Sequence, residues 1–157
     1  MTNEPNIIRA YIDGGTVGNG TKDAIAGCGV YFPDDPDRNL SSPVPGLKQT
    51  NQVAELYAAV LALECTEDLK QLPIHLYSDS QYCIKIAQKL WRAKDNLDLV
   101  HRLWKLMENR TVVWHKVKGH SGDPGNDAAD ALATEAIEEI RNVTIEWAQE
   151  DAGKRQR

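Results

Sequence analysis

Asp13, Glu55, Asp79 and Asp130 stand in four separate stretches of the sequence, each with its own local setting. Asp13 lies in Tyr-Ile-Asp-Gly-Gly (11–15), Glu55 in Thr-Asn-Gln-Val-Ala-Glu-Leu (50–56), Asp79 in Tyr-Ser-Asp-Ser-Gln (77–81) and Asp130 in Gly-Asn-Asp-Ala-Ala-Asp (125–130). Lys-Gly-His-Ser-Gly (118–122), with His120 at its centre, precedes the last of these. Acids this far apart act together only if the fold converges them. Converged carboxylates repel one another, and oxygen-preferring divalent cations are the usual remedy. The set is the composition of a phosphoryl-transfer site that works with two cations.

The elements that must position these acids follow from periodicity. Residues 7–13 alternate as a strand, with Ile8, Ala10 and Ile12 on one face, and Gly14-Gly15 and Gly18-Asn19-Gly20 read as turns. Residues 26–32 read as a second strand, and a short third is expected near 41–47. Val53, Leu56, Tyr57, Val60 and Leu61 recur at helical spacing and predict a helix over about 52–69. Strands at 74–78 and 112–117 and helices over about 80–90 and 97–108 follow. A last helix is expected to start at Pro124, a good first helical residue, and run to about Ile140. The order predicts an α/β fold. It has one mixed five-stranded sheet, the first three strands antiparallel and the later ones parallel to the first, with helices on both faces. The expected division is a disordered N-terminus (1–6), one domain (7–141) and a tail (142–157) forming at most a short helix.

Each acid also has a plainer reading. Asp79 fits a helix N-cap ahead of Ser80 and Gln81, and Asp13 fits an Asx turn before two glycines. Glu55 is more telling. It is the only charge between Gln52 and Leu63, on a helix whose other face is Ala54, Ala58, Ala59 and Ala62. Such a helix is buried, and a carboxylate on it is costly unless paired or metal-bound. Near the last helix start, Asp123, Asp127 and Asp130 compete, and residue chemistry alone does not choose among them. His120 sits in a Gly-flanked turn where its ring can move.

The chain has 157 residues and a net charge of −5, enough length for one cored domain. It contains no apolar run approaching the roughly 20 residues that span a bilayer and no secretory pattern at its start. Cys28, Cys65 and Cys83 are odd in number and lie in apolar stretches, which reads as reduced core cysteine and an intracellular protein. The acidic total hides a split: residues 80–119 hold nine basic and three acidic side chains (+6), leaving −11 elsewhere. A local basic surface of this kind tracks a phosphate backbone; solvated helix faces are the alternative.

Together, Tyr-Ile-Asp-Gly-Gly, Thr-Asn-Gln-x-x-Glu-Leu, Ser-Asp-Ser-Gln-Tyr and Gly-His-Ser-Gly-x-x-Gly-Asn-x-x-Ala-Asp resemble the type 1 ribonucleases H over roughly residues 7–138, in the family's order. The resemblance implies an endonuclease that cuts the RNA strand of RNA–DNA hybrids, leaving 5′-phosphate and 3′-hydroxyl ends. It implies two Mg²⁺ ions (Mn²⁺ as a substitute) held by Asp13, Glu55, Asp79 and Asp130, with Asp13 bridging. It selects Asp130 over Asp127 as the fourth acid and makes His120 the mobile residue assisting water attack or product departure. Asn51, Gln52 and Gln81 are implied minor-groove contacts, able to sense the 2′-OH that separates RNA from DNA. Lys48, Thr50 and Asn96 are implied grips on a DNA phosphate. Asn51 also suits a helix N-cap, and both roles are compatible.

The sequence departs from the family pattern in three places. The protein is expected to lack a separate hybrid-binding domain ahead of the motifs. The stretch 80–96 is shorter than in members with a basic protrusion. A family aromatic along the DNA strand falls at Leu90, with Trp91 one residue off and equally suited to the core. The expected partner is an RNA–DNA hybrid and no membrane, with the protein a monomer in the cytoplasm, or the nucleus or an organelle of a eukaryote. The alternatives are a non-catalytic hybrid-binding module, an excised reverse-transcriptase domain, and a transposase- or resolvase-like relative.

Overall fold

The computed structural model describes residues 6–119 and 122–155, without the side chains of residues 154 and 155. Its order is β1 (Ile8–Val17), β2 (Ile25–Tyr31), β3 (Leu40–Pro43), α1 (Asn51–Glu64), β4 (Ile74–Ser78), α2 (Gln81–Ala87), α3 (Leu97–Met107), β5 (Val112–Lys116) and α4 (Pro124–Arg155). The five strands form one sheet in the order β3-β2-β1-β4-β5. β1, β2 and β3 are antiparallel neighbours, while β4 runs parallel to β1 and β5 parallel to β4. The mixed sheet predicted from the motif order is the one observed.

β1 is longer than expected. Gly14 and Gly15 are not a turn: they pair with Cys28 and Gly27 inside the ladder. Gly14 is required for another reason, since a Cβ there would come within 2.5 Å of the Glu55 backbone nitrogen. Glycine thus lets α1 lie directly on β1. The turn itself comes at Gly18 and Gly20, both at positive φ (73° and 87°).

α1 begins where Thr50 caps it, the Thr50 Oγ1 accepting from Val53 N at 3.2 Å. Asn51 is therefore the first helical residue, not the cap. The helix stops at Glu64, short of the expected 69. Arg110 donates to Leu63 O at 2.9 Å and to Thr66 Oγ1 at 2.6 Å, and Thr66 Oγ1 donates back to Ala62 O at 2.8 Å. Carbonyls of the last turn are satisfied this way, and Glu67–Leu69 continues as a 3-10 turn. α1 buries Val53, Leu56, Val60, Leu63 and its alanines. The sheet covers one side of the helix and α3 the other, which explains its near-uniform apolarity.

α2 ends early as well. Lys89 adopts φ 61°, and Leu90 N and Trp91 N both donate to Lys85 O, a closing turn of the left-handed C-cap type. β3 is cut to Leu40–Pro43 because Pro43 and Pro45 supply no N–H for a ladder. α4 departs furthest from expectation. Its first half packs Ala129, Ala133, Ala136 and Ile137 against β1–β3. Instead of ending near Ile140, it continues to Arg155, because residues 138–152 contain no Gly or Pro to stop it. No helix among the described residues is long and apolar enough to cross a membrane.

Candidate active site

The parallel β1–β4 pairing creates the site. Tyr11 pairs with Tyr77, and carrying that register two residues on sets Asp13 beside Asp79, at the carboxyl end where open α/β sheets place their ligands. Asp13 is buried, only 7% exposed, and its Oδ1 accepts from Gly14 N at 3.0 Å. Burial, the charge of Asp79, and a hydrogen bond and charge from Asp130 all push its pKa well above the usual carboxylate range.

Asp79 is free for chemistry because Ser80 takes the cap of α2: Ser80 Oγ accepts from Cys83 N at 3.0 Å. The same hydroxyl donates to Glu55 Oε2 at 2.6 Å. Glu55 is held up in pKa by burial first and the Asp79 charge, with the Ser80 bond acting in the opposite direction. Gly119 closes over Asp79, since a Cβ there would lie 2.7 Å from Asp79 Oδ2.

The three candidate acids of α4 separate cleanly. Asp123 Oδ1 accepts from Gly125 N and Asn126 N at 2.9 and 3.1 Å, so Asp123 caps the helix start. Asp127 is exposed. Asp130 alone reaches Asp13. His120 lies outside the described residues.

The donor set is suited to hard divalent cations: carboxylate oxygens only, with acids whose own charges oppose ionisation. Among the described residues no three His, Cys, Asp or Glu side chains are already close enough to hold a metal ion as they stand. The acids are thus brought into electrostatic contact rather than into a preformed cage. A divalent cation bound among them would relieve the repulsion that raises Asp13.

The implied substrate contacts fall into two groups. Asn51, Gln52 and Gln81 are exposed first-turn residues of α1 and α2, the helices that follow the Glu55 and Asp79 motifs. Lys48 and Asn96 line a separate cavity of about 420 Å³ with Val53, Tyr57 and Arg102. Asn96 sits at φ 57° and donates to Tyr82 Oη at 3.3 Å. The Thr50 hydroxyl is occupied as an acceptor by the α1 cap and keeps its O–H to donate.

The basic segment is less open than its sequence suggests. Arg102 pairs with Glu64, Arg110 is committed to the end of α1, and Lys89 lies over the Trp104 ring at 4.8 Å. Arg92 and Lys94 remain exposed. Trp91 is not a core residue: it is 45% exposed beside the 62% exposed Leu90. Sequence reasoning missed Ser80, whose only signal was a hydroxyl between Asp79 and a helix start.

A sequence profile of the RNase H family matches residues 5–138. A ribonuclease H of Schizosaccharomyces pombe is 43% identical over 142 residues, covering 82% of this chain and 52% of that protein. One from Ruthia magnifica subsp. Calyptogena magnifica is 41% identical over 151 residues, covering 86% of this chain and 98% of that protein. The chain therefore spans about half the length of the first relative and nearly all of the second. The crystal structure of LC11-RNase H1 in complex with RNA/DNA hybrid superimposes with a TM-score of 0.67 at 25% identity, over 85% of this chain and 98% of that one. The chain belongs to the RNase H family.

Proposed function

We propose that this protein hydrolyses the RNA strand of RNA–DNA hybrids, with Asp13, Glu55, Asp79 and Asp130 as its acidic centre. The observation that carries the reading is the meeting of Asp13 with Asp79 and Asp130, which come from β1, the end of β4 and α4. LC11-RNase H1, a structural relative, has been crystallised with an RNA/DNA hybrid. All the acids come from one chain, consistent with a monomer.

Asp13, central among the acids, would be shared between two Mg²⁺ ions, with Glu55 and Asp79 on one side and Asp130 on the other. Such ions supply Lewis-acid activation of water and stabilise the departing oxygen. The protein's part is orientation. Ser80 fixes Glu55 through its 2.6 Å bond. Gly14 N fixes one oxygen of Asp13, and the close Gly14–α1 contact holds the strand of Asp13 against the helix of Glu55. Water adds to the phosphorus and the bond to the 3′ oxygen breaks, leaving 5′-phosphate and 3′-hydroxyl ends. His120 is proposed to assist the water or the departing product. Asn51, Gln52 and Gln81 would contact the minor groove, and Lys48, Thr50 and Asn96 a phosphate of the DNA strand.

End-labelled hybrid, duplex RNA and duplex DNA, each incubated with Mg²⁺, test the reading. Cleavage confined to the RNA of the hybrid, with 5′-phosphate products, is expected. Binding of hybrid with no cleavage at any Mg²⁺ concentration would instead make the protein a hybrid-binding module.

A further inference from the structure

β1 continues two residues beyond its glycines, and the first of them, Thr16, has a use of its own. Thr16 Oγ1 donates to Asn51 Oδ1 at 2.6 Å, and Asn51 N donates to Asn19 Oδ1 at 3.2 Å. Thr16 sits three residues after Asp13 on β1, and Asn51 one turn before Glu55 on α1. The bond therefore joins the two elements that carry those acids, on the side facing solvent. The Asn19 contact takes up the N–H of the first helical residue, which has no partner within the helix.

The Thr16 bond also decides what Asn51 offers to a ligand. A side-chain amide carries one acceptor oxygen and two N–H donors. With the oxygen engaged by the Thr16 hydroxyl, the exposed Asn51 presents donors. Donors recognise acceptors, and the ribose 2′-oxygen is an acceptor that deoxyribose lacks. Thr16 suits the task because its β-branched side chain is stiff about χ1, so the hydroxyl is held at one place on the strand.

We propose that Thr16 is a positioning residue for substrate discrimination: it orients the Asn51 amide so that its N–H groups address a 2′-oxygen of the RNA strand. This rests on the reading of Asn51 as a minor-groove contact. Discrimination at that nucleotide then depends on the Thr16 hydroxyl as well as on the amide it orients.

The experiment compares Thr16→Val, Thr16→Ser and Asn51→Ala with the wild type. Each is assayed on a hybrid and on a set of hybrids bearing a single 2′-deoxynucleotide walked through the RNA strand. Wild type pays a rate penalty at the nucleotide that Asn51 contacts. Valine keeps the branched shape and removes the hydroxyl. Its KM on the full hybrid is expected to rise roughly three- to tenfold, the worth of about one hydrogen bond, with little change in kcat. The 2′-deoxy penalty shrinks at that one nucleotide. Thr16→Ser restores both, and Asn51→Ala loses the penalty at the same nucleotide. Thr16→Val with an undiminished penalty, while Asn51→Ala loses it, would overturn the role of Thr16 and leave Asn51 standing. Thr16→Val lowering rates equally at every position, with a lower melting temperature and no change in the penalty, would reduce Thr16 to a structural clasp. An Asn51→Ala variant that keeps the full penalty removes the underlying reading, and this inference with it.

Discussion

Two pairs of like titratable groups meet between packed elements of this domain, and they differ in what surrounds them. Asp13 and Asp130 form one. His75 and His115 form the other, with Nδ1 and Nε2 2.7 Å apart across β4 and β5. Burial acts on both in the direction that favours the neutral form: Asp13 is raised and His115 lowered. The histidines then stack on each other and on an aromatic ring. Tyr77 lies against His115 at 4.4 Å and Tyr11 against Tyr77 at 4.5 Å, while nearby Arg9 is already paired with Asp34. That setting suits the depressed pKa of His115. The aspartates face a further acid, Asp79, which also raises Asp13. One pair is satisfied as it stands, whereas the other carries repulsion that only protons or cations relieve. Stored repulsion of this kind marks a functional site.

Removing a charge from the acid pair should have the largest effect. Asp13→Asn keeps shape and loses the charge that holds cations, so cleavage is expected to fall by at least about a thousandfold, several kcal/mol of transition-state stabilisation. Asp130→Asn should also be severe and Asp127→Asn mild, since only Asp130 reaches Asp13. Steady-state rates on a labelled hybrid check the order. A severe Asp127→Asn with a mild Asp130→Asn would place the fourth acid one turn away.

Stability should move the other way. An aspartate whose pKa in the folded protein lies above its unfolded value of about 3.9 contributes stability that is complete below that value and lost as pH rises through the raised pKa. Without divalent ions, Asp13→Asn should therefore melt with the wild type near pH 4 and several degrees above it near pH 9. Millimolar Mg²⁺ should raise the wild-type melting temperature at neutral pH and leave Asp13→Asn nearly unchanged, because a ligand stabilises only the state that binds it. Calorimetry over pH with EDTA or Mg²⁺ measures both. A wild type more stable than Asp13→Asn at pH 9 in EDTA would show that the acids are not in repulsion.

Much of this was legible in the sequence, and the failures share a cause. Glu55 was readable because one charge on an otherwise apolar helix demands a partner, and the partner is Ser80. The strand directions were readable because three early strands lacked helices between them. Gly14-Gly15 misled because a glycine pair usually signals a turn, whereas here Gly14 makes room for a helix more than 30 residues away in sequence. The choice among Asp123, Asp127 and Asp130 depended on how α4 rotates over β1, which no local pattern encodes. Trp91 and the basic segment failed similarly: which charges face solvent depends on partners such as Glu64 and Thr66 on distant elements.

Ser80 sharpens the contrast at smaller scale, because it gives one acid of the site a neutral donor. Ser80→Ala removes the α2 cap and the bond to Glu55 together. Loss of a cap costs about 1 kcal/mol, so a melting temperature lower by several degrees is expected. Glu55, losing the one contact that lowers its pKa, should also take up cation less readily, and half-maximal cleavage should need more Mg²⁺. Ser80→Thr, which keeps the hydroxyl, should recover the Mg²⁺ requirement. An unchanged Mg²⁺ requirement in Ser80→Ala would leave Ser80 with the cap alone.

The histidine pair offers the smallest effect and the reverse sign. His115 has a folded pKa below its ordinary value, through burial and then the charge of His75. A base depressed in this way contributes stability that is present above the unfolded pKa of about 6.5 and lost as pH falls through the folded value. Between pH 7.5 and 5, the wild type should therefore lose slightly more stability than His115→Gln, by about one or two degrees of melting temperature. The amide cannot titrate and can still hydrogen-bond to His75. Cleavage at neutral pH should be unaffected, because the pair lies back from the acids, His75 standing four residues before Asp79. If His115→Gln instead steepened the loss of stability toward low pH, imidazolium would be favoured at that position, and the two pairs would differ in the sign of their burial response and not only in their neighbours.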